Sequence, residues 1–149
     1  MSAPFTIRNA RENDFPQIVA ILQEVGLLTD GLTPGMPDLY VADIGGAVVG
    51  CAALESDGST GLLRSVGVLP AAQGSGIGGR LVEAVHERAM DLGLESIYLL
   101  TATADKYFPR FGYEPSVEET PPRVVTGSVE YRTCLASGAT TLRKVIKRN

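Results

Sequence analysis

The 149-residue chain carries 13 Lys and Arg against 17 Asp and Glu, a formal net charge of −4, with 44% hydrophobic residues and a pI near 5.0. That length and apolar content can bury a core without metals or disulfides, so a single domain over residues 1–149 is expected. The acidic balance argues against nucleic-acid and anionic-membrane partners, which reward concentrated Lys and Arg, and favours a small-molecule ligand.

Residues 1–20 lack the basic start and long apolar run of a signal peptide, and no later segment holds about 18 uninterrupted apolar residues. The expectation is a cytoplasmic protein. Thr6–Asn9 reads as a first strand, and Asp14 as the cap of a helix carrying Phe15, Ile18, Val19, Leu22 and Val25 at helical spacing, ended by Gly26. Residues 27–38 hold two Pro, two Gly and two Asp and read as a loop whose apolar side chains are expected to face substrate. Leu39–Ile44 and Ala47–Leu54 are strand-length apolar runs joined by Gly45-Gly46, which suits a two-residue antiparallel hairpin. A turn over Ser56–Thr60 leads to a strand over Leu62–Leu69, stopped by Pro70.

Gly78 to Leu92 has a helical stripe of Leu81, Val85, Ala89 and Leu92, with Glu83, Glu87 and Asp91 elsewhere on the cylinder and Gly93 closing it. Ser96–Leu100 is strand-like, Thr103–Phe111 is expected as a short helix, and Glu114–Pro122 is polar. The stretch to Ala139 carries no clear period, and Thr140–Ile146 suits a strand. Cys51 and Cys134 lie outside any CxxC and are expected as reduced, packed thiols. His86 follows Val85 in the helix and reads as a surface residue. One His and two distant Cys make no recognisable zinc set, so no metal is expected.

The segment Gln73-Gly74-Ser75-Gly76-Ile77-Gly78-Gly79 lies between a strand and a helix, where unpaired amides and the helix dipole favour a bound phosphate. Gly74, Gly76 and Gly79 also satisfy the GxGxxG of a dinucleotide fold. Against that reading, Leu69–Ala72 intervenes between strand and loop, the loop follows a hairpin, and no regular βαβ alternation comes after it. A nucleotide-hydrolysing loop would need a Lys after these glycines, yet the lysines are Lys106, Lys144 and Lys147. An empty glycine turn is the bland alternative.

Gln73, Gly76 and Gly78, after a strand ending Ser65-Val66-Gly67-Val68, match the Q/R-x-x-G-x-G/A loop of the GNAT superfamily of acetyl-CoA-dependent N-acetyltransferases. Ala104, Tyr107, Phe108, Gly112 and Tyr113 echo its next motif, and the chain resembles that superfamily over about 50 central residues. The resemblance implies an α/β GNAT fold, a mostly antiparallel mixed sheet flanked by helices. It implies that the backbone of Val66, Gly67 and Val68 pairs with the pantetheine arm of acetyl-CoA. The amides of Gln73, Gly74, Ser75, Gly76, Ile77, Gly78 and Gly79 would hold the pyrophosphate, with Arg80 assisting at the helix start. Homodimers are common in the family. Where many members carry a Tyr that protonates the departing thiolate, this chain has Phe108. Tyr107 is the candidate substitute acid, although one helical residue turns a side chain by about 100°. Protonation by water is the alternative, since a thiol pKa of about 8.5 makes coenzyme A a good leaving group.

Acetyl transfer by direct amine attack in a ternary complex requires alignment, deprotonation of an ammonium and stabilisation of an oxyanion, with no covalent intermediate. Glu55 and Arg64 are the two charged residues in otherwise apolar stretches near the expected centre. If paired hairpin positions sum to an odd number, their side chains share a face. Arg64 would then offer a planar fork to a substrate carboxylate, and Glu55 would attract the amine or relay its proton. The competing reading is a solvent-exposed cross-strand ion pair. Leu62-Leu63-Arg64-Ser65-Val66, Tyr98–Ala104 and Tyr107-Phe108 resemble the branch of amino-acid and arsenic-resistance N-acetyltransferases. The ending Ser128-Val129-Glu130-Tyr131, Cys134 and Thr140–Ile146 is closer to the arsenic-resistance group, which implies an amino-acid-like amine, free or arsenic-containing. A non-catalytic acyl-CoA sensor and a protein or peptide N-acetyltransferase stand as alternatives.

Overall fold

The computed structural model describes residues 4–101, 107–116, 121–128, 131 and 140–146. Seven strands form one mixed sheet: β1 (Thr6–Asn9), β2 (Leu39–Ile44), β3 (Ala47–Asp57), β4 (Thr60–Val68), β5 (Ser96–Thr101), β6 (Glu114–Pro115) and β7 (Thr140–Val145), in the order β1-β2-β3-β4-β5-β7-β6. Among the described residues the helices are α1 (Phe15–Glu24), α2 (Ile77–Asp91) and the four-residue α3 (Arg123–Thr126). Among the described residues no helix is long and apolar enough to cross a membrane. The chain divides into two compact units, residues 1–54 with 65–88, and residues 55–64 with 89–149.

In the first unit, β1, β2 and β3 form an antiparallel meander, with Thr6 opposite Asp43 and Ile44 opposite Ala47. The turn falls on Gly45 and Gly46 at φ 59 and 96, the left-handed pair that matches strand twist. A register shift at Ala42/Asp43 leaves Val49 as an extra residue, and its carbonyl accepts the Leu69 N–H at 2.9 Å. Ile18, Ile21 and Leu22 of α1 pack with Leu39, Val41 and Cys51 in one apolar cluster. A Cβ on Gly50, one position earlier in β3, would instead lie 3.1 Å from Leu81 and 3.3 Å from Ile77 of α2. Successive strand residues point to opposite faces, so α1 and α2 cover the two sides of β3. That explains why β2 and β3 read as continuous apolar runs. Gly67 in β4 plays the corresponding part under α1: a Cβ there would sit 3.3 Å from both Leu22 and Val25.

Asp14 does not cap α1 through its side chain. It closes a short 3₁₀ turn, Glu12–Asp14, and its carboxylate accepts the Arg11 N–H at 2.7 Å and both Arg8 Nη atoms at 2.8 and 3.1 Å. Arg8 Nε reaches Asp43 at 3.1 Å, and Asp43 accepts the Gly46 N–H at 2.6 Å. One guanidinium thus ties the first strand, the approach to α1 and the hairpin turn. Arg8 holds the Asp14 carboxyl below its ordinary value. In the 27–38 loop Leu32 is buried, Met36 packs partly buried against the α1 cluster, and Leu27 is 41% exposed.

In the second unit, Thr60–Leu62 of β4 run parallel to Ser96–Tyr98 of β5, while β7 lies antiparallel to β5 along its length, Ser96 opposite Val145 and Thr101 opposite Thr140. Leu62, Tyr98 and Val125 form its apolar cluster, joined by Leu100, Val124 and Tyr131. The structure departs from the sequence reading in five further places. β3 runs on to Asp57, and Leu92 lies beyond α2 and is 40% exposed. Glu114–Pro115 form a two-residue strand on β7, and Arg123–Thr126 a helical turn. Of the helix expected over Thr103–Phe111, residues 102–106 lie outside the described residues, and Phe108–Phe111 form a 3₁₀ turn ended by Gly112 at φ 93.

Candidate active site

Within β4 Ser65 is the exception to extended geometry: its φ of 60 lies in the left-handed region although it is not glycine. Such a conformation costs an L-residue roughly 1–2 kcal/mol, so the surroundings must hold it. Cys51 Sγ donates to the Ser65 carbonyl at 3.3 Å, and burial pushes the thiol up to about 12, keeping its proton in place. Val66, Gly67 and Val68 follow; Val66 and Val68 are half-buried, and Gly67 is packed under α1.

Pro70–Ala72 make a 3₁₀ turn between strand and loop. The Gln73 side chain folds back, donating from Nε2 to the Val68 carbonyl at 2.9 Å, and its backbone N–H goes to the Pro70 carbonyl at 3.3 Å. Gln73 therefore closes the loop onto the strand. Ser75 Oγ donates to the Ala72 carbonyl at 2.7 Å. Gly74 and Gly76 sit at φ 85 and 86, and a Cβ on either would meet nothing within 4 Å. No packing requires glycine there. Backbone conformation does, and the space beside it is open to a ligand. The first helical bond at this end of α2 runs from the Arg80 N–H to the Gly76 carbonyl at 3.1 Å, so the amides of Ile77, Gly78 and Gly79 precede the helix ladder. With a 15-residue helix behind them, they form a positive end suited to a phosphate. Arg80 is exposed, 3.6 Å from Glu83, a solvated pair that leaves its guanidinium near the loop at little cost. The loop residues Gly74 to Gly79 thus fit the pyrophosphate of a coenzyme.

In the second unit, Arg64 Nη1 donates to Glu55 Oε2 at 3.2 Å. The two ends differ sharply: the Arg64 side chain is 1% exposed and that of Glu55 35%. The pair is not the solvent-exposed bridge of the competing sequence reading, because a guanidinium kept this dry needs its partners to offset lost hydration. Tyr107 flanks the 3₁₀ turn, half-buried, edge-on to Phe108 at 5.2 Å and Phe111 at 5.3 Å, with the Arg110 guanidinium 4.6 Å over its ring. Burial raises its phenol above the ordinary value and Arg110 pulls it partly back, so the oxygen keeps its proton at neutral pH. Phe108 is buried against Tyr113, ring centroids 5.9 Å apart, and serves as packing. His86 is half-buried in α2, and among the described residues no group of three or more His, Cys, Asp or Glu gathers to hold a metal. Ser65 is the position that sequence reasoning missed, since Leu62–Val68 reads as an unbroken strand.

Residues 37–115 match the family described as the acetyltransferase (GNAT) domain, and the chain belongs to that family: it is an acyltransferase with acetyl-CoA as its acetyl donor. Within the family, its relatives include an amino-acid acetyltransferase of Mycobacterium tuberculosis, 36% identical over 127 residues, with 77% of this chain and 71% of the relative covered. An amino-acid acetyltransferase of Neisseria meningitidis is 27% identical, and there the match spans only 31% of the relative's length. Among solved structures, a Mycobacterium tuberculosis protein in complex with CoA and NLQ superposes with a TM-score of 0.78 at 25% identity, covering 95% of this chain and 99% of that one. The N-acetylglutamate synthase of Neisseria gonorrhoeae, complexed with coenzyme A and N-acetyl-glutamate, gives a TM-score of 0.80 at 23% identity, over 99% of this chain and 36% of that one.

Proposed function

We propose that this chain, acting as one domain, acetylates the primary amine of a small amino-acid-like substrate by direct attack in a ternary complex. The observation that carries the reading is the Glu55–Arg64 pair, a dry guanidinium behind a carboxylate that solvent can reach. The relatives named amino-acid acetyltransferase support it.

The residues divide the work. Gly74 to Gly79 and the start of α2 hold the pyrophosphate through backbone amides, and the Val66–Val68 backbone lines up the pantetheine arm. Glu55, the exposed member of its pair, draws in the ammonium and takes its proton, directly or through one water, so that the neutral nitrogen can attack the thioester carbonyl. The C–N bond forms to give a tetrahedral oxyanion, which re-forms the carbonyl as the C–S bond breaks while the nitrogen gives up its second proton to solvent. Tyr107, still protonated at neutral pH, is the residue positioned in sequence to return a proton to the departing thiolate, with solvent as the alternative donor. Arg64 fixes the Glu55 carboxylate and meets a substrate carboxylate once Glu55 swings toward the amine.

The test is free-thiol release from acetyl-CoA against a panel of amino acids, arsenic-containing amino-acid analogues and short peptides. Amine-dependent release with free amino acids or their analogues supports the proposal. Release only with peptides assigns a protein acceptor, and tight CoA binding with no release from any free amino acid rejects the substrate class.

A further inference from the structure

We infer that Asp38 and Arg88 are positioning residues for Glu55, acting through the last hydrogen bond between the strand ends of β2 and β3. The inference rests on the role proposed for Glu55.

Asp38 precedes β2 and, like Ser65, adopts a left-handed φ, here 59, without being glycine. An aspartate tolerates this region better than most residues but still requires a reason to stay in it. Two bonds supply one. Its carboxylate accepts from Arg88 Nε at 2.7 Å, and its carbonyl accepts the Leu54 N–H at 3.0 Å. The β2–β3 ladder has its terminal pair at Leu39 and Ala53, so the Leu54–Asp38 bond lies one step beyond it. Leu54 is the residue before Glu55, and its side chain is buried. The backbone that carries Glu55 is therefore clamped by a carbonyl whose direction depends on the φ of Asp38. That φ is in turn held by the ion pair. The carboxylate of Asp38 is 12% exposed and Arg88 40%, so the bond is partly shielded rather than a free surface pair. Arg88 stands in the last turn of α2, the helix whose first turn follows the glycine loop, so one rigid element reaches both loop and clamp.

The test is a double-mutant cycle. Asp38→Asn keeps size and tolerance of left-handed φ but loses the charge, and Arg88→Gln removes it from the other side. Each should raise the amine KM about three- to ten-fold, the range expected of coupled neighbours, while the acetyl-CoA KM stays unchanged. Arg88→Lys should restore most of the loss. In a Glu55→Gln background the Asp38→Asn effect should vanish, because the residue through which it acts is already disabled. A lowered Tm with an unchanged amine KM, or an effect that adds in full to that of Glu55→Gln, would overturn the inference while leaving Glu55 in its role. A Glu55→Gln enzyme with unaltered kcat and amine KM would instead remove the role of Glu55, and the inference with it.

Discussion

Gly76→Ala separates backbone conformation from coenzyme binding in a single substitution. Its φ of 86 places alanine in a region costing roughly 1–2 kcal/mol, and since a Cβ there meets nothing within 4 Å, no steric cost adds to it. For a domain of this size each kcal/mol lowers Tm by about 2–4 °C, so the variant should fold and melt about 2–8 °C lower. Gly93→Ala is the matched control: it ends α2 at φ 74, also with nothing within 4 Å of its Cβ, and should show the same thermal loss. The two must differ in ligand binding. If the pyrophosphate lies against the Gly74–Gly79 backbone, a methyl group at Gly76 displaces at least one charge-assisted bond worth about 1.5–3 kcal/mol. That corresponds to about a ten- to hundredfold weaker CoA Kd, measured by calorimetry. Equal CoA affinities for the two variants would refute the placement of the pyrophosphate on this loop.

Arg64→Met, which nearly keeps the buried volume, should raise the amine KM at least about tenfold, as expected when a charge-assisted contact is lost, and leave the CoA Kd unchanged; steady-state kinetics with each substrate varied decides it. Tyr107→Phe should flatten the alkaline limb of the pH–rate profile if its phenol supplies the proton, and an unchanged profile would pass that role to solvent. Asp14→Asn should cost about 2 kcal/mol at pH 7 by removing the charge from the Arg8 bonds, a Tm about 4–8 °C lower. The folded Asp14 titrates below its ordinary value near 3.8, so its contribution is fully present above that value and disappears as pH falls through the lower, folded one. Thermal melts should accordingly show the gap between wild type and variant closing at acid pH, whereas a constant gap would assign the loss to packing.

Much of the first unit was legible because its signals are local. Gly45-Gly46 fixes a hairpin, the spacing of Ile18, Leu22 and Val25 fixes a helix, and Leu81 and Val85 after the glycine loop fix α2. What the sequence hid depends on partners distant along the chain. Asp14 stands at the N-cap position its local sequence suggests, but its carboxylate goes to Arg8 on the preceding strand, which also reaches Asp43, 35 residues from it. Leu32 packs into the α1 cluster although a loop carries no period that would mark it for burial. Arg64 and Glu55 were visible as charges out of place, yet no pattern told which would be dry and which wet. The left-handed Ser65 has no sequence signature, and the tolerance of aspartate for that region is too general to single out Asp38.

The placement of β7 between β5 and β6 bears on synthesis. β5 ends at Thr101 and its antiparallel partner begins only at Thr140, so on the ribosome the edge of β5 waits for nearly forty further residues before it is covered. At about 5–20 residues per second this is an interval of seconds, during which the apolar Ile97–Leu100 edge is open to pairing with another nascent chain. Slower translation between Thr101 and Thr140 lengthens that exposure, so the yield of folded enzyme should depend on codon usage in this stretch more than in the hairpin of β2 and β3, whose strands are separated by two residues.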